Sequence, residues 1–362
     1  MAELGASIGE WLKLIAAFAR FQTLFLVYLH MVFFLLCWGI DRFDAPAVIE
    51  LAAAVVAMTL CYVNATAVND LSDQAADRIN LAGEPDRPLA SGQASPRQVW
   101  VVALTAGAIS LGAAAVVSPW ATLAAAAMLG LNAIYSLPPV RIAGRGALAQ
   151  VLLPLEYCAF PAVLTASAVG FQSDGLVSLP EGTLRHRVVV YGLMVAAMYL
   201  IFVGRVFLKD IRDEVGDRAT GKLTFTVRHG RRTAIVWSAV TTVAGTVALS
   251  VVMFVCYEAS PGFVFGFCGL SLTGQVVALV QTNQAPSIAE AVLYTGIYGR
   301  WISMKVFFYV MLMLLAGQGL SFAAEALILG GTVLAIVFNV AMLYQQVANH
   351  RVRTSLVGPT PG

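Results

Sequence analysis

Residues 51–68 read Leu51-Ala-Ala-Ala-Val-Val-Ala-Met-Thr-Leu-Cys61-Tyr-Val-Asn-Ala-Thr-Ala-Val68, and the chain then changes at once to Asn69-Asp70-Leu-Ser-Asp73-Gln-Ala-Ala-Asp77. A run of this kind, begun a few residues earlier at position 46 and carrying a single charge at Glu50, has the length of a helix that crosses a bilayer, about 20 residues. Three aspartates follow directly on its end. The whole chain has the character of the first half of that stretch. Of its 362 residues 59% are hydrophobic and only 12% charged, with a mean hydropathy of +0.80; a soluble domain carries about 25% charged residues. Too little charge is present to clothe a surface in water. Soluble enzymes, nucleic-acid binders and disordered scaffolds are excluded together, and an all-α integral membrane protein remains.

Further runs of suitable length lie near 21–40, 46–68, 99–117, 120–137, 147–170, 188–208, 233–257, 262–281, 302–319 and 325–345, ten in all. Before the first, Leu4, Ile8, Trp11, Leu12, Ile15 and Phe18 recur at helical spacing beside Glu10 and Lys13, the pattern of a helix lying along the membrane surface. An acidic start without a basic leader argues against a cleaved signal peptide. Cys37, Cys61, Cys158, Cys256 and Cys268 lie in apolar runs with no metal-ligand spacing and read as small apolar residues. Assigned to alternating sides of the membrane, the basic residues split 19 to 3, with only Arg42, Arg185 and Arg187 on the poorer side. The positive-inside rule then puts both termini and the long loops in the cytoplasm and favours an even number of spans.

The second acidic stretch is Asp210-Ile-Arg-Asp213-Glu-Val-Gly-Asp217, at the end of the sixth expected span. It repeats the i, i+3, i+7 spacing of Asp70, Asp73 and Asp77 at an offset of 140 residues. Three and seven steps return to nearly one helix face, so each set forms a row of like charges that is unfavourable unless cations accompany it. One acidic row is ordinarily a solvated face. Two of the same design on one side of a membrane are better explained by Mg²⁺ held partly by substrate phosphates. Arg78 and Arg87 follow the first row, and Lys209, Arg212, Arg218 and Lys222 interleave with the second; beside a phosphate such groups neutralise a leaving group. A third loop carries Tyr135-Ser-Leu-Pro138-Pro139-Val-Arg141, whose proline pair ends the fourth expected span and sets Tyr135 and Arg141 at the cytoplasmic mouth.

With these motifs in order, together with Arg87-Pro-Leu-Ala-Ser-Gly92, the chain resembles the UbiA superfamily of intramembrane prenyltransferases over roughly residues 20–320. The segment from Gly216 to Gly230 is similar to quinone-pathway members. The resemblance implies nine to ten transmembrane helices around a central cavity, capped by cytoplasmic Asp-rich loops. It divides the chain into an interfacial helix over 1–20, a prenyltransferase domain over 21–320, and an extra span with a tail over 321–362. It implies Mg²⁺-dependent transfer of a prenyl group from an isoprenoid diphosphate to a small aromatic acceptor. Asn69, Asp70, Asp73 and Asp77 would hold one Mg²⁺, and Asp210, Asp213 and Asp217 another. Arg141, Lys209 and Arg218 would contact the diphosphate, joined by Arg78 and Lys222, and Tyr135 would lie near the breaking bond. Tyr135, Asp70, Asp73 and Asp213 form the expected catalytic set. Two departures from the family pattern are one extra span and an enlarged external loop over 171–187.

Polar residues inside spans are functional candidates by default, so Asn64, Asn132 and Glu156 are expected at the cavity, whereas His30 suits packing in the core. Two rivals share parts of this pattern. A membrane terpene cyclase would use the same carboxylates without an acceptor. A secondary transporter would place its charges near the bilayer midplane, whereas here the two acidic rows close the cytoplasmic ends of spans.

Overall fold

A computed structural model describes residues 7–39, 45–80, 87–169 and 181–285, and parts of 290–297 and 322–341. The helices are α1 (Ile8–Ala19), α2 (Phe21–Trp38), α3 (Ala45–Asn80), α4 (Pro96–Val117), α5 (Pro119–Ser136), α6 (Ala147–Tyr157), α7 (Ala159–Val169), α8 (Glu181–Ala219), α9 (Phe225–His229), α10 (Arg231–Cys256) and α11 (Pro261–Gln284). Among the described residues six helices are long and apolar enough to cross a membrane: Ala45–Asn80, Pro96–Val117, Ala147–Ala168, His186–Ile211, Arg231–Cys256 and Pro261–Gln284. The expected spans at 21–40 and 120–137 fall on α2 and α5, each 18 residues long. The expected span at 302–319 and the tail lie outside the described residues, and 325–345 is described in part.

Three expectations change. The acidic rows are not loops: α3 runs to Asn80 and α8 to Ala219, so both rows belong to the last turns of long helices. Their partners explain this, because Asp70, Asp73, Asp77 and Asp217 are buried against basic side chains and Asp210 against Gln150. The loop expected over 171–187 overlaps a helix at its end, since α8 begins at Glu181. Arg205, counted by sequence among the loop cations, lies within the apolar part of α8 with its guanidinium 5.6 Å from the Phe202 ring; the aromatic face offers a charge inside the helix bundle a favourable contact.

The helices start where their sequences place caps. Ser7 with Glu10, and Ser95 with Gln98, form capping boxes at the starts of α1 and α4, satisfying amides that have no partner in the first turn. Helix α3 is central, packing against α4, α5, α7 and α8. On α8 and α10 small residues allow close approach: a Cβ on Gly204 would stand 2.8 Å from the Ser238 carbonyl, and one on Gly245 2.8 Å from the Ala197 carbonyl. Lipid offers apolar side chains no hydrophobic gain over each other, so such tight backbone contact is what holds membrane helices together. Between α6 and α7 the helix breaks at Cys158. Pro154 lies inside α6, and Pro161 has no amide to give to the carbonyl of Tyr157. This break sets Glu156 beside a cavity.

Candidate active site

The two acidic rows meet because α3 and α8 are clamped together at their ends. Asn80 donates from Nδ2 to the Asp213 carbonyl (2.9 Å) and accepts at Oδ1 from the Gly216 amide (2.7 Å). Gly216 has no room for a side chain, since a Cβ there would lie 2.6 Å from the Ala76 carbonyl. Between the helices opens a cavity of about 120 Å³, lined by Asn69, Asp73, Asp77, Tyr135, Lys209, Asp210, Asp213, Asp217 and Lys222. Arg20, Arg87, Asn132 and Glu156 line it as well, with Tyr62 and Tyr157 among its remaining walls. Six carboxylates against four basic side chains leave the lining with a negative excess, which suits a cavity that receives a cation.

The carboxylates are held by the chain's own cations. Arg20, between α1 and α2, reaches Asp70 at 2.7 and 3.0 Å. Arg87 bonds the same carboxylate at 3.0 Å and lies 3.5 Å from Asp77. Arg141 donates to Asp73 (3.0 Å) and to the Ser72 carbonyl (2.9 Å); its backbone takes the left-handed conformation at φ 42, turning the chain back toward α3 after the Pro138–Pro139 pair. Lys222 closes the ring, 2.6 Å from Asp73 and 3.6 Å from Asp217. Asp210 accepts from Gln150 Nε2 at 2.7 Å. Burial pushes the Asp217 carboxyl up to about 7; Lys222 opposes this, and the nearby Asp213, Asp73 and Asp210 add to it. Burial would lower the Lys222 ammonium, but Asp73 and Asp217 outweigh it and raise its pKa. Asp217 Oδ2 is buried without a hydrogen-bond partner.

Other expected residues lie away from the centre. Arg218 is 62% exposed and pairs with Glu214 at 2.9 Å; Arg78 is exposed at the end of α3. Asn64 does not line the cavity but braces it, donating to the Ala103 carbonyl (3.0 Å) and accepting from Asn132 Nδ2 (3.1 Å). His30 is buried among rings, 4.9 Å from that of Phe202. The Arg212 side chain lies outside what the structure describes.

Sequence reasoning missed Arg20, Gln150, Asn80 and Tyr62 as parts of this site. Asn80 was findable, because it extends the row of Asp70, Asp73 and Asp77 by another three residues. Gln150, a polar residue inside an apolar run, carried the same signal that marked Glu156. Arg20 and Tyr62 carried none; only the packing of α1, α3 and α6 brings them in.

The donors of the two rows are hard oxygens, and a buried one lacks a partner, so in chemistry the set fits a divalent cation such as Mg²⁺. Among the described residues no three acidic, histidine or cysteine side chains stand close enough to form a ready-made cage, because Arg20, Arg87, Arg141 and Lys222 occupy the carboxylates.

Comparison with known proteins agrees with this architecture. Residues 31–296 match the model of the UbiA prenyltransferase family. Digeranylgeranylglyceryl phosphate synthase of Methanopyrus kandleri is 30% identical over 194 residues, 54% of this chain and 62% of that protein. The protein of the same name from Natronomonas pharaonis is 34% identical over 188 residues, 51% of this chain and 59% of that one. The chain thus spans about three fifths of the length of these relatives. A solved structure of a UbiA homolog from Archaeoglobus fulgidus bound to GPP and Mg²⁺ superposes with a TM-score of 0.53 at 19% identity, covering 83% of this chain and 99% of that one. The last comparison speaks for the fold; the match of the family model over most of the sequence decides membership, and the chain belongs to the UbiA prenyltransferase family.

Proposed function

We propose that this protein is a membrane prenyltransferase that takes an isoprenoid diphosphate and transfers its prenyl group to a small acceptor in the cavity between α3, α5, α6 and α8. One observation carries the proposal: two carboxylate rows 140 residues apart converge on one cavity, with Arg20, Arg87, Lys209 and Lys222 set among them. Acid alone would repel a diphosphate and base alone would not need so many acids; both together suit a diphosphate accompanied by Mg²⁺. The relatives point the same way by their names. Those names speak of a glyceryl phosphate rather than of the aromatic acceptor expected from the sequence.

Asn69, Asp73 and Asp77 on α3, and Asp210, Asp213 and Asp217 on α8, would hold Mg²⁺, and Asp70 behind them is already engaged by Arg20 and Arg87. Bound there, Mg²⁺ would supply charge stabilisation for the departing pyrophosphate. With their carboxylates otherwise satisfied, Lys222 and Arg141 turn to the diphosphate oxygens, and Lys209 adds a third positive charge at the mouth. Tyr135 is buried and lines the same cavity as Asp210, Asp73 and Glu156, and it would lie near the allylic C–O bond as that bond breaks. Tyr62 and Tyr157 line the cavity with their rings tilted at 33° and centroids 5.5 Å apart, and Tyr157 is backed by the stacked ring of Phe202 at 5.7 Å. Their faces exclude water and attract positive charge, as an allylic cation requires. The active-site side is the cytoplasmic one by the positive-inside rule.

The test is incubation of the purified protein with geranylgeranyl diphosphate, Mg²⁺ and candidate acceptors, followed by mass spectrometry. A prenylated acceptor and released pyrophosphate are expected. A hydrocarbon formed without acceptor would replace the transferase assignment with a cyclase.

A further inference from the structure

The cavity has two levels. On α6, Gln150 holds Asp210 at 2.7 Å, and Glu156 lies six residues further along. At 1.5 Å per residue this is about 9 Å deeper toward the membrane interior. On α3, Tyr62 lies eight residues before Asp70, about 12 Å deeper by the same measure. Tyr62 donates to the Glu156 carbonyl at 2.8 Å, which fixes both at this lower level. Asn132, almost one turn before Tyr135 on α5, joins them.

Two hydrogen-bond acceptors without donors line the cavity there. Glu156 is only 4% exposed and lines the cavity, and among the described residues no hydrogen bond reaches its carboxyl oxygens. The charge of Lys209 acts on it from α8. Asn132 is 1% exposed, and its orientation is fixed, since Nδ2 donates to the Cys61 carbonyl (3.3 Å) and to Asn64 Oδ1 (3.1 Å). This leaves Asn132 Oδ1 buried with no donor. Neither group takes part in the carboxylate and cation ring above. A buried carboxylate and a buried amide oxygen that both lack a donor are the complement of a hydroxyl group.

Resting on the assignment of the chain as a prenyltransferase, we propose that this lower level binds the hydroxyl group of the acceptor, with Glu156 as the base that removes its proton and Asn132 as the group that orients it. As the C1–O bond of the allylic diphosphate breaks, its electron pair leaves with the pyrophosphate. The acceptor oxygen supplies a pair to C1, forming an ether, and its proton passes to a Glu156 carboxyl oxygen. An alcohol is a poor nucleophile while it keeps its proton, so a base placed here raises its attack on C1. An aromatic carbon, by contrast, attacks with its ring electrons and needs a base only afterwards. The two donor-free acceptors therefore favour attack by a hydroxyl oxygen over attack by a ring carbon.

The proposal is tested with the full-length protein, geranylgeranyl diphosphate and Mg²⁺, offering geranylgeranylglyceryl phosphate as alcohol and 4-hydroxybenzoate as ring acceptor. The readout is the ratio of prenyl transferred to pyrophosphate released, a partition that a general loss of fold does not move. For Glu156→Gln the ratio for the alcohol is expected to fall by about 100-fold or more. Glu156→Asp should lie between the variant and the parent, and Asn132→Ala should raise the KM for the alcohol more than it lowers kcat. A ratio equal to that of the unaltered protein in Glu156→Gln would overturn the role of Glu156, whatever the total rate. Transfer to the ring carbon of 4-hydroxybenzoate, with none to the alcohol, would overturn the choice of acceptor. Absence of pyrophosphate release from the unaltered protein would instead defeat the prenyltransferase assignment itself.

Discussion

Asp73 is the residue on which the site turns, because it accepts from Asn69, Arg141 and Lys222 at once. Its loss would leave two cations without their shared partner and remove a ligand from the α3 row. Asp73→Ala is expected to lower prenyl transfer by about 100-fold or more, measured as product formed at saturating diphosphate. Arg218→Ala offers a contrast. Its guanidinium is exposed and, among the described residues, is held by Glu214 alone, and a surface pair of this kind is worth about 0–1 kcal/mol; transfer is expected to stay within about threefold of the parent, a larger loss placing Arg218 on the diphosphate after all. Burial, with the neighbouring carboxylates adding to it, pushes Asp217 up to about 7, and a cation entering the site would offset both. Added Mg²⁺ should therefore raise the Tm of the metal-free protein in detergent, by linkage of binding to the folded state. In Asp73→Ala/Asp213→Ala that rise should shrink.

At the scale of the helices, the contact of α3 with α8 positions both rows. Gly216→Ala would drive a methyl group into the Ala76 carbonyl, 2.6 Å away. The overpacking is expected to cost about 1–3 kcal/mol, seen as a lower Tm, and to weaken transfer by separating the rows; an unchanged Tm would mean that the helices part without penalty. The rows themselves were legible in sequence, since Asp at i, i+3 and i+7 gives one face of a helix whatever the tertiary structure. That they stand on helices rather than in loops was not legible. Aspartate is a poor helix former, and the burial by Arg20, Arg87, Arg141 and Lys222 that supports it depends on partners from four other segments. Glu156 was legible as a polar residue inside a span, but its level in the cavity needed the bond from Tyr62 and the break after Pro154.

For the whole molecule, composition alone decided the solvent: at 12% charge the surface has to face lipid. Among the described residues many large apolar side chains are exposed, including Leu104, Trp120, Phe254 and Phe265 at 51–75%, as a bilayer-facing surface requires. Periodicity located the helices well because each span is a long uniform signal, whereas the packing order of α3 between α4, α5, α7 and α8 is set by side-chain contacts that spacing does not encode. By the positive-inside rule the split of basic residues leads to the expectation that the acidic rows face the cytoplasm. Single cysteines introduced near Arg145 and near Arg187 should react with an impermeant thiol reagent from opposite sides of intact vesicles, and labelling from one side would contradict the topology. The central claim is that the two acidic rows act together on a diphosphate. It is tested most directly by pyrophosphate release and product formation from geranylgeranyl diphosphate, with and without Mg²⁺, in the unaltered protein, Asp73→Ala and Asp213→Ala. Mg²⁺-dependent turnover that nearly vanishes in either variant is expected; full turnover in both variants would contradict the account.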